Sequence, residues 1–259
     1  MAKRKIEPIY DNTFRRSNRH NYKKHPWIIL VIVLLVLGGA GGLIWHNHHQ
    51  SALNSYAVRG VSVNQADGYV DFHQLQSQKI KFAYLKATSG ASYLDDDFID
   101  NYQRISGSNL QVGIYQQFSF TSSAKSQFRY LVSQVQQQSG NLPIAIQVTY
   151  YGKYADTPPN AKKQGQKLAE LAELLSEHYG QGCIIWATPA VQRDIVDSYL
   201  PQNKKWSVPT KLKRQGKDVM FIQYTGHQKL EVDGVRTDLT QSVFNGSLKQ
   251  WNEQFGSNE

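Results

Sequence analysis

The feature that most constrains the fold of this chain is an alternation of short apolar runs with amphipathic segments, which extends from Arg59 to Tyr224. Most of the apolar runs, such as FAYLKA and CIIWAT, are apolar on both faces, as is typical of strands buried in a parallel sheet. The segments between them have apolar residues at helical spacing. The predicted strands are Gly60–Val63, Phe82–Ala87, Gln111–Phe118, Pro143–Val148, Cys183–Thr188 and Val219–Tyr224, and the predicted helices are Asp95–Ile105, Ser123–Gln138, Ala161–Tyr179 and Pro189–Tyr199.

This alternation predicts a single α/β domain, and its length favours a (β/α) barrel. The third helical segment illustrates the pattern, because one of its faces is apolar, opposite Lys, Gln and Glu. The residues placed on that face are Leu168, Leu171, Leu174 and Leu175. We place the barrel domain at residues 59–254.

A second feature precedes the barrel: residues 27–45 read WIILVIVLLVLGGAGGLIW and contain no charged side chain. A helix of this length spans about 28 Å, close to the ~30 Å hydrocarbon core of a bilayer. Tryptophan stands at both ends, where the membrane interfaces accommodate indole rings. The segment predicts a transmembrane helix that acts as an uncleaved signal anchor. The alternative is a cleaved signal peptide, with the small residues at 39–41 as its cleavage site.

The charge distribution predicts the orientation of that helix. Eight of the 29 lysines and arginines lie in residues 1–26, against Glu7 and Asp11, whereas residues 46–50 contain none. The positive-inside bias therefore predicts a cytoplasmic basic tail at 1–26, a tether at 46–58 and an extracellular C-terminal domain on a single-pass membrane protein. Because most of the net charge of +9 belongs to the tail, the charge does not indicate a nucleic-acid partner.

Neither a metal site nor a cofactor is predicted. The lone Cys183 excludes an internal disulfide and a cysteine-built metal centre. The aspartates at 95–97 fit the N-terminus of a helix, where negative charge is favourable. The histidines at 46, 48 and 49 fit a solvated tether.

A further signal comes from short segments spread over residues 59–245. They are GVSVNQADGYVDF (60–72), FAYLKATSG (82–90), YLDDDFIDN (93–101), VGIY (112–115), LPIAIQVT (142–149), QYT (223–225) and TDLT (237–240). In this order they resemble the motifs of glycoside hydrolase family 25. The resemblance implies a barrel of the family 25 muramidase type, and an activity that cuts peptidoglycan between N-acetylmuramic acid and N-acetylglucosamine.

The chain departs from the family pattern at the acidic positions. The family has a D-x-E motif, whose two acids point to the same side of one strand. Glycosidic cleavage requires a proton donor and a second carboxylate, and neither a hydroxyl nor an amide titrates near neutrality. The substitutions therefore predict a catalytically impaired domain. The family's acids are replaced by Ser62, Ser89, Gln147 and Thr149, a family histidine is replaced by Gln116, and one late aspartate is retained as Asp238.

The resemblance also implies a glycan groove at the carboxyl ends of the strands. Neutral polar groups and aromatic rings suit sugar hydroxyls and ring faces. Two alternatives stay open: the groove is closed and without function, or catalysis has been rebuilt on Asp67, Asp71 or Asp238. The predicted groove residues are Ser62, Asn64, Tyr115, Gln147, Thr149, Tyr224 and Asp238.

Three functional hypotheses follow. The first is a membrane-anchored, catalytically impaired muramidase-like domain that binds peptidoglycan, another cell-wall glycan or a wall-synthesis protein. The second is an active muramidase that uses a shifted acid. The third is a structural scaffold whose barrel is a protein-interaction surface.

Overall fold

The computed structural model describes residues 30–39, 53–224, 230–232 and 234–256. The chain divides into two compact units, Met1–Asn47 and His48–Glu259. In the first unit, residues 30–39 form helix α1. The described residues contain no helix with the length and hydropathy of a membrane span. The predicted anchor at 27–45 extends beyond α1 on both sides, and the predicted tail at 1–26 lies outside the described residues.

The second unit contains a closed β-barrel, which confirms the predicted barrel fold. In the described part, eight strands close it in the order β1-β11-β8-β7-β6-β5-β4-β2, and β1 pairs with β2 to complete the ring. The strands are β1 (Arg59–Val63), β2 (Ile80–Ser89), β3 (Tyr93–Leu94), β4 (Gln111–Gln117), β5 (Ala145–Val148), β6 (Ile184–Ala187), β7 (Lys204–Ser207), β8 (Val219–Tyr224), β9 (Leu230–Val232), β10 (Val235–Thr237) and β11 (Thr240–Phe244).

Most neighbouring strands of the barrel are parallel, and β11 alone runs antiparallel to both of its neighbours, β1 and β8. Short β3 adds to the edge of β2, and β9 pairs with β10 in a separate hairpin. Helices connect and cover the strands: α2 (Phe72–Ser77), α3 (Phe98–Ile105), α4 (Ala124–Val135), α5 (Lys153–Asp156), α6 (Ala161–Tyr179), α7 (Pro189–Val191), α8 (Asp197–Tyr199) and α9 (Leu248–Phe255), with a 3-10 turn at Gln65–Asp67 and a π-helical segment at Gln192–Val196.

Aromatic side chains fill the barrel interior. Trp206 stacks on Trp186 with ring centroids 4.2 Å apart, and its indole nitrogen donates to the hydroxyl of Ser242 at 3.0 Å. At the amino end of the barrel, Trp251 of α9 lies 5.4 Å from the ring of Phe82. Because this packing fills the middle of the barrel, a ligand reaches the interior side chains near Trp186 from the carboxyl end.

The close packing depends on a glycine in the barrel wall. A Cβ atom on Gly113 would lie 2.5 Å from the ring of Tyr84, a distance that carbon atoms do not tolerate. Glycine at this position therefore lets the Tyr84 ring lie flat against β4, where its hydroxyl donates to the carbonyl of Pro143 at 2.9 Å.

The second hydrophobic layer lies between the barrel and the surrounding helices. Helix α6 begins at an Asn160 cap that accepts from the amide of Lys163, and it ends at Gly180 in the left-handed conformation. Between these ends, Leu168, Leu171 and Leu175 are buried, as their spacing predicts. Leu174, predicted on the same face, is half-buried. The outward-facing side chains of the strands pack in this layer. Because alternate residues of a strand point to opposite faces, the residues between them point into the barrel.

Cys183 lies within this layer and gives a testable prediction. It is buried, and burial raises the pKa of its thiol to about 11. We expect a thiol reagent at pH 8 to modify the folded protein at least about 100-fold more slowly than the urea-unfolded chain, because the folded thiol is far less ionised. Equal rates in the two states would contradict the buried position.

Candidate functional site

On β1, β2, β4, β5, β6 and β8, six side chains face the interior of the barrel at its carboxyl end. Side chains two residues apart on a strand share a face, so each residue that follows an interior residue by two also points inward. The interior residues that establish this face include Tyr84, Tyr115, Ala145, Ile184 and Phe221. The six side chains that follow on that face are Ser62, Lys86, Gln117, Gln147, Trp186 and Gln223, and none of them is an acid.

A bulge in β2 adds a seventh inward residue. The pairing of β2 with β4 shifts between Lys86 and Thr88, so that Ser89 comes to lie opposite Gln117. The Ser89 hydroxyl donates to the side-chain oxygen of Gln117 at 3.1 Å. Ser89, which occupies a family acid position, is therefore part of the same surface.

Neutral side chains continue across this end of the barrel. Gln117 lies opposite Gln147 on β5, and Gln147 lies opposite Trp186 on β6. The indole nitrogen of Trp186 donates to the side-chain oxygen of Gln223 at 2.9 Å. Gln117, Gln147 and Gln223 are half-buried, whereas Ile146, Val148 and Ile222 on the other face are fully buried. The carboxyl end is therefore a partly open surface of amides and hydroxyls, which we call the polar groove.

Ser62 lies at the floor of the polar groove. It is 2% exposed, and its hydroxyl has no hydrogen-bond partner among the described residues. A buried hydroxyl without a partner is costly, so the position favours a water molecule or a ligand hydroxyl. Tyr115 is also buried, and its ring packs 5.1 Å from Trp186.

Two carboxylates lie beside the polar groove in the connections that follow β1 and β3. Asp67 accepts hydrogen bonds from the backbone and side-chain nitrogens of Asn64, at 2.8 and 2.7 Å, and Asp95 accepts from the backbone of Gln65 at 3.1 Å. Burial raises the pKa of both aspartates, and the charge of Asp95 adds to the rise at Asp67. The nearby Lys86 ammonium lowers the pKa of Asp95 in part. Their hydrogen bonds show that these acids fix the loop after β1.

Asp71 has a local structural role. Its carboxylate accepts from the amides of His73 and Gln74 at 2.9 and 3.1 Å and so caps α2. Asp97 stands at the N-cap of α3, and Asp96 accepts from the hydroxyl of Tyr93 at 3.3 Å. The aspartates at 95–97 thus stand at the start of a helix.

The described residues hold no group of three or more His, Cys, Asp or Glu side chains that suits a metal ion.

The structure brings some of the predicted groove residues together and separates others. Ser62 and Gln147 line the polar groove, Thr149 follows β5 on the same side, and Asn64 lies in the loop held by Asp67. Tyr224 lies on the opposite face of β8, where its hydroxyl donates to Gln241 at 2.7 Å. Asp238 is exposed between β10 and β11.

Gln116, at the family's histidine position, faces outward. Its amide nitrogen donates to the carbonyl of Gly90 at 3.0 Å in the layer beneath α4. The inward residue at this point of β4 is its neighbour Gln117. Motif matching missed Lys86, Gln117, Trp186 and Gln223, although counting in steps of two from the buried residues of each strand would have found them.

A cavity of about 370 Å³ adjoins the polar groove at Ser89 and Gln117. Hydroxyl groups from the loop after β4 form one side of it, including Ser119, Thr121 and Ser122. Tyr151, 38% exposed, forms the other side, and its hydroxyl accepts from the amide of Phe120 at 3.3 Å. The lining is uncharged and offers an aromatic ring beside several hydroxyls.

Together, the filled barrel and the polar groove define a (β/α)-barrel protein whose candidate site lies at the carboxyl ends of the strands. The family model for glycosyl hydrolases family 25 matches residues 61–233. The chain belongs to this family.

The chain is also similar to individual proteins and to a solved structure. The chain is 24% identical over 202 residues to the uncharacterized protein YegX of Escherichia coli strain K12, covering 76% of this chain and 72% of that protein. It is 34% identical over 58 residues to Lysozyme M1 of Streptomyces globisporus, covering 22% of this chain and 20% of that protein. A solved family 25 glycosyl hydrolase from Bacillus anthracis superimposes with a TM-score of 0.71 at 28% identity, covering 78% of this chain and 94% of that structure.

Proposed function

We propose that this chain is a membrane-anchored family 25 domain that binds peptidoglycan glycan strands in the polar groove and has lost most of its hydrolytic activity. The observation that supports this most directly is the chemistry of the groove: the inward side chains at the carboxyl end are amides, hydroxyls, an indole and one lysine. Family membership and the resemblance to muramidases supply the substrate class.

The loss of hydrolysis follows from the residues at the D-x-E positions. Cleavage requires one group that protonates the leaving oxygen and another that stabilises or attacks the sugar cation. Gln147 and Thr149 provide neither a proton donor with a pKa near neutrality nor a negative charge. Lys86, which also faces inward, adds a positive charge that disfavours a cationic transition state.

Retention of binding follows from the hydrogen-bonding capacity of the same surface. The amide of Gln147, the unpartnered hydroxyl of Ser62 and the hydroxyl-rich cavity beside Tyr151 offer donors and acceptors without charge. Sugar hydroxyls pair with such groups, and the exposed Tyr151 ring offers an apolar face. In a closed groove without function, the inward amide side chains would be buried. Gln117, Gln147 and Gln223 are instead half-exposed.

The location follows from the sequence. The apolar segment 27–45 and the basic residues before it favour a single-pass anchor with the barrel outside the membrane. A short tether at 46–58 would keep the barrel near the membrane face of the wall, where it would meet glycan strands or a wall-synthesis protein.

A second candidate is an active muramidase with a shifted acid. The observation that favours it is the pair Asp67 and Asp95 beside the polar groove, both with raised pKa values. Release of new reducing ends from peptidoglycan by the unaltered chain would support this candidate over the first.

Binding is tested by sedimentation of the full chain, in a nonionic detergent, with insoluble peptidoglycan. We expect the protein in the pellet, and we expect Gln147→Leu and Gln117→Leu each to weaken binding about fivefold, because each removes a hydrogen bond worth about 1 kcal/mol. Gln137→Leu, at an exposed position after α4, is the matched control and should bind as the unaltered chain does. Protein that stays in the supernatant contradicts the proposal and favours the scaffold hypothesis.

A further inference from the structure

The second notable cavity lies at the amino end of the barrel, opposite the polar groove. Its volume is about 730 Å³, within the usual range for small-molecule sites. It lies between the segment that enters β1, the start of β2 and the end of α9. Neither the proposed glycan site nor its chemistry involves these residues.

The charged side chains among the described lining residues of this cavity are all positive. Arg59, Lys79 and Lys81 line it, and no carboxylate is among its described lining residues. Arg59 donates to the carbonyl of Gln78 at 3.1 Å, which holds its guanidinium at the wall. Lys79 and Lys81 are exposed and have no carboxylate partner among the described residues. Three cations around one cavity favour an anionic ligand.

Amide groups supply additional donors. The side-chain oxygen of Gln76 accepts from the amide of Asn109 at 3.2 Å, and that of Gln111 accepts from the side chain of Asn141. Because these bonds occupy the oxygens, each glutamine keeps its N–H groups for a ligand. The buried Tyr56, which also lines the cavity, has a hydroxyl without a hydrogen-bond partner among the described residues.

The backbone at Lys79 favours glycine. Lys79 directly follows the C-cap of α2 with φ of 67°, the left-handed conformation that commonly ends a helix. Its side chain has no ion pair among the described residues, so its ammonium group can contact a ligand.

We propose that the amino-end cavity binds a phosphorylated polyol: the cations hold the phosphate, and the amide N–H groups hold hydroxyl or ester oxygens. Two sources share this chemistry, the headgroup of an anionic glycerophospholipid and a soluble polyol phosphate. The lipid source rests on the proposed membrane anchor. Seven residues, 46–52, separate the predicted anchor from the first described residue of the barrel unit.

The test uses the full chain in phosphatidylcholine nanodiscs, with labelled sn-glycerol 3-phosphate as the probe in equilibrium dialysis. We expect saturable binding that Lys79→Gly and Lys81→Gln each weaken about fivefold. Lys79→Gly is informative because glycine relieves the left-handed strain, so its melting temperature should equal or exceed that of the unaltered chain. The double variant Lys125→Gln/Lys162→Gln removes two exposed charges elsewhere and should bind normally.

A second arm replaces part of the phosphatidylcholine with phosphatidylglycerol. Competition by this lipid identifies the headgroup as the ligand, and undiminished probe binding identifies a soluble polyol phosphate. Absence of saturable binding in both arms, or unchanged binding by the Lys79 and Lys81 variants, overturns the proposal. Loss of the chain from the nanodiscs refutes the anchor instead, and peptidoglycan sedimentation reports separately on the groove.

Discussion

The double variant Gln147→Asp/Thr149→Glu is expected to release reducing ends from peptidoglycan at least about 100-fold faster than the unaltered chain. General acid–base assistance alone is worth about 10²–10⁴-fold. Gln147 lies on the inward face of β5 and is half-buried, so a carboxylate there would face the groove, with the second carboxylate two residues further along the same side. The inward Lys86 would keep one of the two carboxyls ionised.

The control for this variant adds equal charge away from the groove. Gln137→Asp/Thr210→Glu changes two exposed positions and should leave hydrolysis at the level of the unaltered chain. If the unaltered chain already releases reducing ends rapidly and the double variant adds nothing, the argument for catalytic loss fails and a shifted acid must be sought.

Trp206→Ala is expected to destabilise the fold by about 3–5 kcal/mol, the range for removal of a large buried aromatic side chain. The Trp206 ring is fully buried, stacks on Trp186 and packs against Tyr84 at 4.8 Å and Phe221 at 5.1 Å. Alanine would leave a cavity in the barrel centre that these rigid rings cannot fill. Urea unfolding followed by circular dichroism measures the loss.

Two further variants separate the contributions at Trp206. Ser242→Ala removes the acceptor of the indole N–H and should cost about 1–3 kcal/mol, because it leaves a buried donor unpaired. Tyr69→Ala removes an aromatic ring that is exposed and lies against the Arg104 guanidinium, so it should cost less than about 1 kcal/mol. Similar losses for Trp206→Ala and Tyr69→Ala would contradict the filled interior.

The barrel could be predicted because its main strands are apolar on both faces, a pattern that only a covered parallel sheet explains. Strands β7 and β11 were not predicted because both contain polar or charged residues. The sequence of β7 begins with Lys204 and Lys205, whose charged ends lie at the barrel margin, and Lys205 pairs with Asp197 and Asp218. In β11, polar Gln241 and Ser242 are buried because Tyr224 and Trp206 donate hydrogen bonds to them.

The candidate site could be predicted only in part. The family motifs identified Ser62 and Gln147, but they could not show that Tyr224 and Gln116 face away from the groove. The β2 bulge that turns Ser89 inward depends on the pairing with β4 and leaves no local pattern in the sequence. The side chain of Asn64 donates to the Asp67 carboxylate within the loop after β1. The family motif gives the residue type at each position but not this contact between them.

The position of β1 determines when this protein can fold during its synthesis. As the first strand of the barrel, β1 emerges early from the ribosome, yet it pairs with β11, which is made almost 180 residues later. Until β11 arrives, one edge of β1 has no neighbour and the ring stays open, so contacts between the two ends of the chain limit the folding rate. Any truncation before Thr240 should leave an unclosed, aggregation-prone sheet. A nascent chain therefore stays without a closed barrel until its last strand has emerged from the ribosome.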